Sequence, residues 1–173
     1  MDHTHHHDTP FFNRQRITDP IYFCGRAREL EGLYSAIATR QSRSVVGERK
    51  MGKSSLLSHL SSPDTLTRHG FNPARFVFLY VDLEGMANIT YAEFWPEILD
   101  RLDLALPPGQ DDLQDMVADL AGQADVRFTQ VRRLLRRVER AGLTVVLMLD
   151  EFESLASNPA FSMPATSSTN APM

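Results

Sequence analysis

The residues with the clearest chemistry in this sequence lie between positions 47 and 54. They match the pattern G-x-x-x-x-G-K-S/T in full, through Gly47, Gly52, Lys53 and Ser54. Glycines at these two places let the chain leave a strand in a conformation closed to most side chains and approach a ligand closely. Inward-pointing N–H groups, a helix N-terminus and a lysine bind phosphate oxygens, and a serine hydroxyl ligates Mg²⁺. The motif predicts a nucleoside triphosphate site with its magnesium ion.

The residues between and after the fixed positions complete this predicted site. Further contacts with the nucleotide are expected from Glu48, Arg49, Lys50, Met51 and Ser55. The local context agrees with this interpretation. The β-branched run at 44–46 predicts a strand before the loop, and residues 54–60 predict a helix directly after it.

A second group of candidates follows the apolar run at 143–149, which predicts a strand. Asp150 and Glu151 come directly after that run. The carboxyl ends of strands in an open parallel sheet line its ligand site. We predict that Asp150 holds Mg²⁺ through the water shell of the metal. Glu151 and Lys53 are the predicted catalytic pair, with Glu151 accepting a proton from the water that attacks the γ-phosphate and Lys53 contacting the β- and γ-phosphates.

One other acidic motif competes with this interpretation. Residues 82–85 fit D-x-x-G, which resembles a magnesium and γ-phosphate motif of GTPases, and they also follow an apolar strand. Neither N-K-x-D nor T-K-x-D occurs in the sequence, so the guanine-reading element is missing. Asp82 is therefore expected to end the second strand of the sheet rather than to belong to a GTPase site.

The elements that must position these residues alternate between strand and helix. Apolar periodicity predicts helices at 28–39, 91–104, 113–121 and 126–140, and a nearly continuous apolar run predicts a strand at 75–83. Strands buried on both faces and alternating with helices indicate an α/β fold with a parallel sheet.

Composition excludes several other classes of protein. The 173 residues carry 18 Lys and Arg against 22 Asp and Glu, and this net charge of −4 provides no overall attraction to nucleic acid or anionic membrane. A single cysteine rules out an internal disulfide and fits a reducing compartment. The longest wholly apolar run, 76–81, is too short to span a bilayer. We expect a soluble, cytoplasmic chain with no membrane segment.

The two ends of the sequence differ in composition from the middle. Residues 1–20 are polar and rich in histidine, and residues 158–173 lack apolar periodicity, so both are expected to be disordered tails. No physiological metal site is assigned to the histidines. The ordered domain is expected at 21–157.

With both motifs placed, residues 20–162 resemble the AAA+/STAND branch of P-loop ATPases. Besides the phosphate loop, the sequence at 23–30 matches the opening box F-x-G-R-x-x-E-L, and the two acidic strand ends are similar to those of the family. The resemblance implies a P-loop NTPase fold with three layers, α/β/α, around a parallel sheet. It also implies that Phe23, Gly25 and Arg26 lie in the adenine pocket.

The resemblance further implies a nucleotide switch that acts on a downstream effector domain or within a homo-oligomer. In this family the strand that ends in the two acids, called the Walker B strand and represented here by 143–149, does not pair directly with the phosphate-loop strand. Another strand lies between the two, and both that strand and the arginine finger come later in the sequence. Only 22 residues follow Glu151 here. We therefore expect a partial domain, incomplete at its C-terminus, with open strand edges and weak nucleotide binding.

Two alternatives remain open from the sequence. The chain could be a non-catalytic remnant that binds nucleotide at most. It could also be a DNA-associated ATPase similar to replication initiators, because residues 126–140 contain six arginines and one acid. Residues 82–125, by contrast, contain eleven acids and one base.

Overall fold

The computed structural model describes residues 25–47, 51–86 and 88–161. Within these ranges the helices are α1 Ala27–Ala38, α2 Lys53–Leu60, α3 Pro63–Arg68, α4 Tyr91–Ala105, α5 Asp111–Ala121, α6 Phe128–Arg140 and α7 Phe152–Ala156. The strands are β1 Phe76–Asp82 and β2 Thr144–Asp150. Single turns of 3-10 helix occur at Pro73–Arg75, Glu84–Met86 and Pro159–Phe161.

The two strands pair in parallel over their whole length. The register runs from Phe76 opposite Thr144 to Asp82 opposite Asp150, so both strands end at the same level. Both strands were predicted from their apolar runs, and both are confirmed within two residues of the predicted ends. Because successive side chains of a strand point to opposite faces, this register sorts the strand residues into two sets.

The first face of the sheet packs against α1, α2 and α3. Its strand side chains are Phe78, Tyr80, Val146 and Met148, and they share a cluster with leucines of the three helices. Alternation places Asp82 and Asp150 on this same face, beyond the apolar residues. We call it the α2 face.

The opposite face packs against α4, α5 and α6. Its strand residues Val77, Leu79, Val81, Val145 and Leu149 join the larger core cluster with the apolar stripes of these helices. The described residues therefore form three layers, α/β/α. This arrangement agrees with the predicted fold class, although the sheet has two strands.

The strand predicted at 44–46 is wrong. Residues 41–47 have no regular secondary structure, and within the described residues each strand of the sheet pairs with a single neighbour. A strand needs a ladder of hydrogen bonds to another strand, and residues 44–46 form none with β1 or β2. Val46 is consequently 89% exposed, and Leu147 on β2 is 43% exposed.

The helix ends follow local sequence signals. The T-x-x-E spacing of Thr90 and Glu93 predicts a capping box, and the Glu93 side chain accepts bonds from the backbone N–H and the hydroxyl of Thr90 at the start of α4. Gly142 takes a left-handed φ of 80° just after α6, where a glycine commonly ends a helix. None of the helices in the described ranges has the length and hydropathy needed to cross a bilayer.

Some ordered structure lies where the sequence has no periodic pattern. α3 and α7 are too short to show an apolar stripe, and neither was predicted. Residues 158–161, assigned to a tail from composition, pack on the domain: Asn158 is buried and its amide donates to the Ile89 carbonyl at 2.8 Å. The ring of Phe161 meets that of Phe94 edge to face.

The packing of α4 on the sheet can be tested with two leucines of that helix. Leu99 is 1% exposed, whereas Leu104 is 86% exposed. Leu99→Ala should lower the free energy of unfolding by about 2–5 kcal/mol because it leaves a cavity in the core. Leu104→Ala should change it by less than about 0.5 kcal/mol. Urea denaturation followed by circular dichroism measures both, and equal effects would contradict the observed packing.

The hydrogen bonds at the start of α4 should make the free energy of unfolding depend on pH in the acid range. The hydrogen bonds from Thr90 lower the pKa of Glu93 below its ordinary value of 4.5. The charged carboxylate therefore stabilises the folded protein above that pH, and this contribution is lost as the pH falls through the lowered pKa. Glu93→Gln should be less stable than the parent chain at neutral pH, and the difference should shrink below about pH 4.5. Thermal unfolding over a pH series measures it, and a constant difference would argue against a charged cap.

Candidate functional site

The direction of α2 brings its first residues toward the carboxyl ends of the strands. At its other end the Leu60 carbonyl accepts a 2.7 Å bond from the hydroxyl of Tyr34. The ring of Tyr34 stacks on Phe71, which meets Phe76, the first residue of β1. α2 therefore ends near the amino end of the sheet. Since α2 contacts β2 and ends near the amino ends of the strands, we infer that Lys53, at its start, lies toward the carboxyl ends, where Asp150 is found.

Tyr34 is a stable anchor for this arrangement. Burial raises the pKa of its hydroxyl to about 12, so the group remains a proton donor to the Leu60 carbonyl at physiological pH. A buried carbonyl at a helix C-terminus needs such a partner. The contact ties α1 to the end of α2.

The described part of the phosphate loop closes on its own lysine. The ammonium of Lys53 donates to the Gly47 carbonyl at 2.9 Å, which joins the first and seventh residues of the motif. Gly52 has a φ of 74°, in the left-handed region that favours glycine, and its carbonyl accepts the first helical bond of α2 from Leu56. The N–H groups at the start of α2 precede that first bond, and the N-terminus of a helix is a common place for an anion to bind.

The two motif glycines differ in conformation. Gly47 was expected to adopt a backbone closed to other residues, but its φ is not positive, and an added Cβ would meet Met51 at an ordinary 3.9 Å. Of the two motif glycines, Gly52 is therefore the one whose backbone conformation favours glycine in this structure. Ser54 is half-buried, Ser55 is buried and Met51 is exposed. The predicted contacts Glu48, Arg49 and Lys50 lie outside the described residues.

Arg26 connects the opening box to the phosphate loop. Its guanidinium donates to the Met51 carbonyl at 3.1 Å and forms an ion pair with Glu29 on the first turn of α1. An added Cβ at Gly52 would lie 3.7 Å from the same guanidinium. Gly25 precedes it in an exposed bend with a φ of 84°, whereas Phe23 lies outside the described residues. The opening box and the phosphate loop are thus in direct contact, through two residues that are 25 positions apart in sequence.

Asp150 is held in place at the end of β2. Its carboxylate accepts a 2.6 Å bond from the hydroxyl of Tyr80 on β1 and a 3.1 Å bond from the N–H of Glu151. The Asp150 side chain is buried, although a carboxylate is rarely buried without partners. Its backbone carbonyl also accepts from the N–H of Leu83 at 3.0 Å, which extends the strand pairing past the register end.

Two further acids flank Asp150. Asp82 is its register partner and is exposed, and its carboxylate caps the following turn by accepting from the N–H of Glu84 at 3.0 Å. Glu151 has a φ of 50°, one of two non-glycine residues with a positive φ among those described. A left-handed residue of this type is strained, and such residues concentrate at functional positions. It begins α7 and is half-buried.

A groove lies beside this end of the sheet rather than around the lysine. It has a volume of about 960 Å³ and runs between the turn after β1 and the first half of α4. Acidic side chains dominate its lining, including Asp82, Glu84, Glu93, Glu97 and Asp100. No described phosphate-loop residue lines it.

The chemistry of the donor set fits a magnesium-bound triphosphate. A hydroxyl from Ser54 and carboxylates from Asp150 and Asp82 are the hard oxygen ligands that Mg²⁺ prefers, usually together with phosphate oxygens and water. Within the described residues no three histidine, cysteine or acidic side chains form a metal site by themselves.

Sequence reasoning missed two contacts at this site. Tyr80 was seen as part of an apolar strand, and its bond to Asp150 depends on the register between strands separated by 70 positions. Strand alternation alone places Tyr80 on the same face as Asp82, which was the available signal. The bond from Arg26 to a loop carbonyl had no sequence signal, because it depends on where α1 packs.

Comparison with known proteins gives one match. A family model described as an AAA domain matches residues 37–166, about three quarters of the chain, and begins after the opening box. No curated protein and no solved structure matches significantly. The matched region contains the phosphate loop, both strands and both acidic strand ends. The chain therefore belongs to the AAA domain family of P-loop proteins.

Proposed function

We propose that this chain binds ATP with Mg²⁺ and serves as the nucleotide switch module of a STAND-type regulatory protein. Membership of the AAA domain family supports nucleotide binding in general. The observation that carries the specific proposal is the position of Lys53. Lys53 is the first residue of α2, the helix that packs on the α2 face of the sheet. On that same face β2 ends in Asp150, at the end of the sheet toward which the start of α2 is directed.

Lys53 and the start of α2 bind the phosphates in this proposal. The Lys53 ammonium is already directed across the loop to the Gly47 carbonyl, so β- and γ-phosphate oxygens would take the place of that carbonyl. The N–H groups of the first turn add hydrogen bonds and the positive end of the helix dipole. Loop residues 48–51 would supply further N–H groups to the phosphates, and Ser55 is the last residue of this proposed phosphate site.

Ser54 and Asp150 would hold the magnesium ion, which supplies charge neutralisation to the phosphate oxygens when bound. The hydroxyl bond from Tyr80 keeps the Asp150 carboxylate directed to one place. Glu151 comes next in the chain and positions the attacking water, accepting its proton. The left-handed backbone of Glu151 supports such a role, because strained residues concentrate at functional positions.

The adenine pocket is proposed at Phe23, Gly25 and Arg26. Its support is the contact of Arg26 with the loop at Met51, which places the opening box against the phosphate site. A switch of this kind acts on an effector domain or on other copies of the chain, and both remain proposals. Movement of the Arg26–Met51 contact on nucleotide binding would be one route from the site to α1.

A binding domain without turnover is the second candidate. It is favoured by the absence of a strand at 41–47 and by the single strand partner of β2 within the described residues. Phosphate chemistry needs reacting groups to be held firmly, whereas phosphate binding needs the loop and helix alone. The two candidates differ in turnover and agree on binding.

Lys53→Ala tests nucleotide binding. It should weaken binding of a fluorescent ATP analogue by about 10- to 100-fold, since a charged hydrogen-bond donor to phosphate is lost. Arg28→Ala, which removes an exposed cation from α1, is the matched control and should bind as the parent chain does. Fluorescence titration with Mg²⁺ gives both affinities. If the parent chain does not bind the analogue, or if Lys53→Ala binds it equally well, the proposal is wrong.

Glu151→Gln separates the two candidates. In a switch that hydrolyses ATP, this change should lower the rate of phosphate release by about 100-fold or more while leaving the Kd for Mg·ATP nearly unchanged. Phosphate release measured beside analogue binding gives both numbers. Measurable binding with no phosphate release in the parent chain would instead establish the binding domain without turnover.

A further inference from the structure

The most strongly charged surface of the described residues lies on α6. This helix buries Val131, Leu134 and Val138 against the sheet. Its opposite side is exposed and carries five arginines, namely Arg132, Arg133, Arg136, Arg137 and Arg140. We call this set the arginine face.

The arginines form two regular rows along the helix axis. Arg132, Arg136 and Arg140 follow one another at four-residue steps, about 6 Å apart along the axis, and Arg133 and Arg137 form the parallel row. The whole helix of 13 residues is about 20 Å long. Within the described residues none of the five forms an ion pair, so their charges are available to a partner.

The one acid of α6 is already neutralised. Glu139 forms an ion pair with Arg40. Arg40 comes just after α1 in the sequence and lies near the amino ends of the two strands. These two residues line a cleft of about 480 Å³ together with Arg75. Arg40 and Glu139 cancel each other's charge, so the basic surface continues from the end of α6 to Arg75.

The composition of the arginine face favours a polyanion over a protein partner. A protein interface of ordinary size has an apolar core surrounded by polar residues. Between the two arginine rows there is no apolar side chain, and the exposed Phe128 and Leu135 lie on one flank. Guanidinium groups bind phosphate through paired hydrogen bonds, and an exposed aromatic ring beside them can stack on a base. The ring of Phe128 packs against the ring of Trp95, with the ring centroids 6.2 Å apart.

We propose that the arginine face binds the phosphate backbone of a nucleic acid. α6 leads directly into the amino end of β2, so this surface extends to the edge of the sheet opposite the phosphate loop. The polymer and the nucleotide would therefore bind at the same time. Binding is sequence-independent, because the contacts are to backbone phosphate. The aspartates of the neighbouring α5 limit the affinity through repulsion.

The experiment uses the full chain and a fluorescein-labelled DNA duplex of about 20 base pairs, longer than the roughly 6 base pairs that α6 spans. Fluorescence anisotropy without nucleotide should give a Kd of about 1–100 μM at physiological salt and a smaller Kd at low salt. If about four phosphates are contacted, affinity should fall about 100-fold between roughly 50 and 200 mM salt. No binding at low salt would overturn the proposal.

Matched double variants assign the binding to this surface. Arg132→Gln with Arg136→Gln should reduce the slope of log affinity against log salt by about two. Arg28→Gln with Arg68→Gln removes the same charge from exposed sites on α1 and α3 and should leave the slope unchanged. Equal behaviour of the two double variants would overturn the assignment. ATP-analogue binding by the first pair should stay unchanged, so failure here is distinct from failure of the nucleotide site.

Glu139→Gln provides a gain of binding. Removing this carboxylate also frees Arg40, so the duplex should bind about two- to fivefold more tightly at low salt. A lower or unchanged affinity would contradict the proposal. Sedimentation velocity completes the test: if the Arg132 and Arg136 variants dissociate an oligomer without changing DNA binding, the face is a protein interface and the proposal is wrong.

Discussion

The parallel pairing of β1 with β2 is the contact on which the candidate site depends. Because Asp82 is in register with Asp150, both strands deliver an acid to the same edge and the same face. A shift by one residue would move every side chain of one strand to the other face. Tyr80 would then lose Asp150, and the leucines of α2 would meet the wrong strand residues. Burial on both faces specifies this register.

The second constraint is the way α1 and α2 hold the phosphate loop from two ends. Tyr34 anchors the end of α2, while Arg26 bonds to the loop just before α2 begins. The loop itself has no strand to support it among the described residues, and Val46 is exposed. Among the described residues of the loop, the contacts are those made by these side chains and the bond between Lys53 and Gly47.

Charge is divided between the edges and layers of the molecule. Acids collect along the groove beside α4 at the carboxyl edge, and arginines collect on α6 and around the cleft at the amino edge. The net charge of −4 conceals this division, since charges of opposite sign on different surfaces cancel in the sum. Local fields decide which ligands approach each surface at physiological salt, because screening limits each field to about 8 Å.

The sequence by itself determined the α/β class, both strands, the Thr90 cap of α4 and, at the level of an AAA domain, the family of the chain. These follow from local patterns, in which spacing along the chain sets geometry. It could not determine that residues 44–46 stay outside the sheet, that Tyr80 bonds to Asp150, that Arg26 reaches Met51, or that Arg40 neutralises Glu139. Only the tertiary structure decided those, because each joins residues distant in sequence through the packing of separate elements.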